Sequence, residues 1–196
     1  GNIKAEEIII RQNGNITVTA GPTIYASPNP PTICPGQGTG LTLTSTVSNI
    51  NYSWTSSMNG VGGATNGSGI GSGTNSFLFV NQILTNNTTA TGNVIYTITG
   101  SVSNGCSNSA TVIVTVNANP TINGATTLCI NATSQLTGSG TPAISNPWTS
   151  SNTGVATVSS TGLVTGIASG TTTITYTNSV GCSTTLTVTI SDILDW

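Results

Sequence analysis

Gly181-Cys-Ser-Thr-Thr-Leu-Thr-Val-Thr-Ile190 decides how the rest of the chain is read. Leu186, Val188 and Ile190 alternate with threonines, the period-two pattern of a strand with one buried and one solvated face. The motif has a precedent: Gly105-Cys-Ser107 leads into Thr111-Val-Ile-Val-Thr-Val116. Further upstream, Asn51-Tyr-Ser-Trp-Thr-Ser-Ser57 is echoed by Asn146-Pro-Trp-Thr-Ser-Ser151. Each tryptophan follows a cysteine, Cys34 or Cys129, by about 20 residues. The order Cys, Trp, Cys, strand therefore runs twice, and it predicts two tandem antiparallel sandwiches.

Strands can be placed from the alternation and from the Gly, Asn and Pro clusters that break it. In the first repeat they are predicted at residues 23–27, 41–47, 51–55, 77–81, 94–102 and 111–116. In the second they fall at 127–130, 134–137, 155–159, 162–165, 171–177 and 184–190. The fold class is all-β, with almost no helix. Residues 21–118 and 119–191 form the two sandwiches, preceded by an extension over 1–20 and followed by a tail over 192–196. Between strands, Met58–Ser76 is rich in glycine and lacks the Lys-Ser/Thr of a phosphate loop, so a long flexible connection is expected. Thr-x-Thr strings such as Thr187-Val-Thr189 have no short coil period and suit the solvent face of sandwich strands.

Composition narrows function. The chain has 196 residues, with two basic and four acidic side chains and no histidine. All six charges lie at the ends, at Lys4, Glu6, Glu7, Arg11, Asp192 and Asp195, so everything from Gln12 to Ser191 is formally neutral. Nucleic-acid binding requires a basic face, which two cations cannot build. Zinc, calcium and magnesium sites require clustered His, thiolate or carboxylate ligands, and general acid–base catalysis requires a positioned titratable group. No enzyme, cofactor or metal is expected. No apolar run approaches the length of a membrane span. Thr, Ser, Asn and Gly make up over half of the chain. The recurrent Val, Ile and Thr alternation nevertheless argues for order. With no signal peptide and no initiator Met, Gly1 reads as a processed or cut end.

Two motifs carry a resemblance. Trp148-Thr-Ser-Ser-Asn-Thr-Gly-Val-Ala-Thr-Val-Ser-Ser-Thr-Gly-Leu-Val-Thr-Gly166, followed by Gly170-Thr-Thr-Thr-Ile-Thr-Tyr176, resembles the bacterial Ig-like group 2 family of intimin- and invasin-type adhesins. The first repeat resembles the PKD-like Ig modules of Bacteroidetes surface proteins, through Ile33-Cys-Pro-Gly-Gln37, the Tyr52-Ser-Trp54 strand and Asn104-Gly-Cys106. The resemblance implies tandem structural modules at the cell surface, serving reach and display.

Four cysteines without Cys-x-x-Cys spacing predict two disulfides and an oxidising, extracellular setting. The expected pairs are Cys34–Cys106 and Cys129–Cys182, each joining the first edge segment to the start of the last strand. Loops of that length give about 4 kcal/mol per bridge in the chain-entropy account. Trp54 and Trp148, equivalently placed, are expected in the two cores in preference to sugar-stacking platforms. Asn-x-Ser/Thr sequons are no more frequent than the composition dictates.

The start of the chain is the remaining candidate. Asn15–Ile24 mimics the junction Val112–Ile122, so residues 1–20 read as a hairpin of an Ig-like unit, turning at Asn13-Gly14. Such a hairpin without its sandwich must be truncated, disordered or paired with another chain. Ile8, Ile9 and Ile10 would bury both strand faces, either as a donor strand inserted into a neighbouring copy or as an ordinary strand of an N-terminal unit. Ile16 and Val18 complete the candidate inter-subunit strand. Ile193, Leu194 and Trp196 form a candidate docking tail or a cut stub. The expected partner is another copy of the chain in an extracellular filament, or neighbouring modules of a giant adhesin. A surface ligand or glycan stays unspecified, and neither nucleic acid nor membrane insertion is expected.

Overall fold

A computed structural model describes residues 8–10, 16–18, 21–27, 32–103 and 105–192. Among these residues there is no helix, and the chain divides into two compact units, Gly1–Val116 and Asn117–Trp196. The N-terminal strands β1 (Ile8–Ile10) and β2 (Ile16–Val18) pair antiparallel, with Ile8 opposite Val18 and Ile10 opposite Ile16. The turn expected at Asn13-Gly14 lies outside the described residues.

In the first unit, β3 (Ile24–Ser27), β5 (Leu41–Ser45) and β8 (Leu78–Val80) form one sheet in the order β3-β5-β8. The facing sheet has the order β4-β10-β9-β6-β7. Its members are β4 (Thr32–Ile33), β6 (Asn51–Asn59), β7 (Gly67–Ile70), β9 (Gly92–Ser101) and β10 (Ser107–Val116). Alternate residues of each strand meet between the sheets. Leu41, Leu43, Tyr52, Val94, Tyr96, Ile98, Val112 and Val114 are almost fully buried there. Burying a side chain of this size contributes about 1.5–3 kcal/mol.

The second unit repeats the plan with shorter strands. One sheet runs β12 (Thr127–Cys129), β19 (Ser183–Ser191), β18 (Gly170–Thr177), β15 (Trp148–Ser150). The other runs β13 (Thr133–Gln135), β17 (Leu163–Gly166), β16 (Ala156–Val158), with β11 (Ile122–Asn123) and β14 (Thr137–Gly138) as a small separate pair. Its core gathers Leu136, Trp148, Ala156, Val164, Ile174, Tyr176, Val188 and Ile190. Gly138 is required here, because a Cβ at that position would fall inside the Tyr176 ring.

Two features depart from the sequence reading. Met58–Ser76 is not a free loop. Strand β6 extends to Asn59, and Gly67–Ile70 pairs with it as the edge strand β7, Gly67 lying opposite Trp54. Glycine makes this possible, since a Cβ at 67 would strike the indole of Trp54. The segment is also strapped from below: Gln82 Nε2 donates to the Thr65 carbonyl at 2.9 Å, and Thr65 N donates back to Gln82 Oε1 at 3.0 Å. Tyr96 Oη donates to the same Gln82 oxygen at 2.9 Å.

The second departure is in the cysteines. Strand β4 runs parallel to β10 with Ile33 opposite Val116, so Cys34 lies beyond the far end of β10. Cys106 immediately precedes its start at Ser107. Ten residues at about 3.3 Å each separate the two by roughly 30 Å, against a limit of about 7 Å between bridged Cα atoms. The second unit repeats the arrangement: Cys129 is opposite Ser191, at the far end of the strand whose near end follows Cys182. Neither expected pair, Cys34–Cys106 or Cys129–Cys182, can form in this register. Cys34 and Cys182 are the disulfide-bonded cysteines, and Cys129 is a thiol.

Candidate interaction surfaces

Among the described residues, no group of three or more His, Cys, Asp or Glu side chains comes together. No helix among them is long and apolar enough to cross a membrane. Strand edges and sheet faces are the candidate surfaces of each unit.

The hairpin is the first. Its strands form a two-stranded sheet of their own, hydrogen-bonded to no other strand among the described residues. Ile8, Ile9, Ile10, Ile16 and Val18 are thereby placed together in one small sheet, with both outer backbone edges unpaired in the ladder. The tail residues Ile193, Leu194 and Trp196 lie outside the described residues.

Trp54 and Trp148 pack against the cores of their units. Trp148 is 7% exposed and its ring stands 4.6 Å from that of Tyr176, tilted by 41°. Tyr176 in turn donates its hydroxyl to the Gly140 carbonyl at 3.2 Å. Trp54 is half-buried at the rim of the first core, and its Nε1 donates to the Thr65 carbonyl at 3.1 Å. Burial pushes the hydroxyls of Tyr52 and Tyr176 up in pKa, and that of Tyr96 up to about 12.

The outward sheet faces are uncharged. On β18 and β19, Thr171, Thr173 and Thr175 lie directly opposite Thr189, Thr187 and Thr185. Between β6, β9 and β10, the rows are Thr55–Thr97–Thr111 and Ser53–Thr99–Ser109. The outward face of β3-β5-β8 differs from these. It carries Tyr25 and Phe79, with Phe77 just before β8 in a bridge to Ser72; each is about half exposed, and sequence reasoning did not single them out. In Phe77-Leu-Phe-Val80 every position is apolar, so composition conceals which residues face solvent. The pairing of Thr42 with Phe79 and of Leu43 with Leu78 resolves it.

Two β-sandwiches in series define a tandem of Ig-like modules. Residues 31–121 match the PKD-like domain and residues 120–188 match the bacterial Ig-like domain (group 2), so these two segments are a PKD-like module followed by a bacterial Ig-like module. No curated protein shows a significant match.

Among solved structures, the chain is similar to a C-terminal 282-residue fragment of intimin, crystallised with the intimin-binding domain of its translocated receptor. That match has 21% identity and a TM-score of 0.49, and it covers 88% of this chain and 65% of the fragment. Domains 4–9 of the surface layer protein SbsC match with 19% identity and a TM-score of 0.30, covering 89% of this chain and 32% of theirs. The insect immune protein hemolin matches with 17% identity and a TM-score of 0.38, covering 90% and 48%.

Proposed function

We propose that the chain is a structural subunit of an extracellular bacterial filament, joined to neighbouring copies by β-strand addition through Ile8–Ile10. The observation that supports this reading is the separate β1–β2 sheet, which pairs with neither sandwich among the described residues. A lone two-stranded hairpin is marginal in water, and its unpaired edges are templates for another strand. Main-chain hydrogen bonds would supply affinity, and the isoleucines would supply buried apolar area. The absence of charge from Gln12 to Ser191 removes repulsion between copies.

A second reading is a spacer within a larger adhesin, favoured by the tandem of two module families known from surface proteins. Electron microscopy and light scattering of the purified chain separate the two. The filament reading expects fibres from the whole chain and folded monomers after deletion of residues 1–12. Fibres that persist after the deletion would refute strand addition, and monomeric beads from the whole chain would favour the spacer.

A further inference from the structure

We propose that the outward face of the β3-β5-β8 sheet binds a neutral, extended polysaccharide by stacking Tyr25, Phe77 and Phe79 against its sugar rings. The chain has only two phenylalanines, and both are exposed, Phe79 on β8 at 55% and Phe77, the residue just before that strand, at 48%. Tyr25 joins them at 55%, whereas Tyr52, Tyr96 and Tyr176 are all buried. Phenylalanine has no polar atom to justify exposure, so leaving both exposed reverses the usual partition of aromatic residues.

Strand geometry fixes the layout. Tyr25 pairs with Thr44 and Phe79 pairs with Thr42, so the rings on β3 and β8 flank the central strand β5. Two interstrand steps and a two-residue offset along the strands place them about 12 Å apart. Phe77 and Phe79 are alternate residues of one segment, about 7 Å apart along it. Between the rings lie the half-buried hydroxyl residues Thr42 and Thr44, with Ser27 at the end of β3. Backbone pairing on both sides of β5 holds this surface as a rigid sheet.

The occupant follows from the chemistry. These outward positions are aromatic or hydroxyl-bearing. Flat rings match the C–H faces of pyranose units, and the hydroxyls between them can exchange hydrogen bonds with equatorial sugar hydroxyls. Rings separated by two strands suit an extended glycan that presents the same face at every second residue. The proposal commits to a neutral polymer, because no side chain between Gln12 and Ser191 can form an ion pair with an acidic or basic one.

Affinity electrophoresis of the whole chain in gels containing hydroxyethylcellulose or glycol chitin tests the proposal, with polygalacturonate as the anionic comparison. Retardation by a neutral polymer is expected, insensitive to salt, with none by polygalacturonate. Phe77→Ala/Phe79→Ala should weaken retardation about tenfold or more, and Tyr25→Ala should weaken it separately. The thermal melting temperature should stay unchanged, since these rings are not core. Retention equal to wild type in the double variant would overturn the proposal. So would absence of retardation on both neutral polymers. Self-association abolished by the double variant, with no glycan binding, would assign the face to a second copy and overturn it as well.

Discussion

Trp148→Ala is expected to abolish cooperative folding of the second unit. Its indole is buried in that core, its ring 4.6 Å from that of Tyr176 and tilted by 41°, with Gly162 packed close beside it. Truncating a buried tryptophan costs about 3–5 kcal/mol. A unit of this size holds roughly 4–12 kcal/mol in total, at 0.05–0.15 per residue. The loss therefore approaches the whole stability of the weaker end of that range. Calorimetry of the full chain should show the transition of the second unit lost or displaced to much lower temperature. The first unit has its own core, built on Leu41, Leu43, Tyr52 and Tyr96, and its transition should remain. Trp148→Phe, which keeps a ring against Tyr176, should cost distinctly less. Equal effects of the two substitutions would show that the ring contact contributes little.

The second large effect is a missing one. Most proteins lose stability in acid because native carboxylates must be protonated and buried histidines must charge. From Gln12 to Ser191 this chain has neither. Both sandwich bodies should therefore keep the same denaturant midpoint from about pH 2 to pH 9. The alkaline side is different. Burial raises the pKa of Tyr52 and Tyr176, and holds that of Tyr96 at about 12 against an ordinary value of 10.0. Above pH 10 the unfolded chain releases these protons while the folded chain retains them. The unfolded state then binds fewer protons, so stability falls as pH rises, in full force by about pH 12. Urea midpoints measured across that range check the prediction. Tyr96→Phe should flatten part of the alkaline limb, at the cost of the hydrogen bond to Gln82. An acid transition in either body would contradict the argument.

What the sequence made legible was the layer plan. Leu186-Thr-Val-Thr-Ile190 and Val112-Ile-Val-Thr-Val116 announce strands because one-sided burial leaves a period of two, and both are the long last strands of their units. Thr32–Ile33 was missed, and Thr127–Cys129, although expected as a strand, was not given its direction. Strands of two or three residues have no period to detect, and their direction is set entirely by the partner. Each pairs parallel with the end of the last strand rather than with its beginning. The cysteine pairing failed on that point, for Cys34 and Cys129 sit at the opposite end of the strand from Cys106 and Cys182.

The glycine-rich segment misled for a related reason. In Gly67-Ser-Gly-Ile70 glycine serves to admit the Trp54 indole and the Leu78 side chain beneath an edge strand. Composition alone cannot distinguish that use from simple looseness. The aromatic face was concealed by Leu78 and Val80, whose burial between Phe77, Phe79 and Asn81 only the register reveals.

The parallel pairing that separates the cysteines also governs how each unit answers tension. A pull delivered through the chain enters the second unit ahead of β12 and leaves it after β19, and these strands point the same way, side by side over Thr127–Thr189, Leu128–Ile190 and Cys129–Ser191. Drawing them apart lengthwise strains those backbone bonds together in shear instead of peeling them open one by one. Strands β4 and β10 form the same clamp in the first unit, over Thr32–Thr115 and Ile33–Val116. A module closed in this way yields to force as a block.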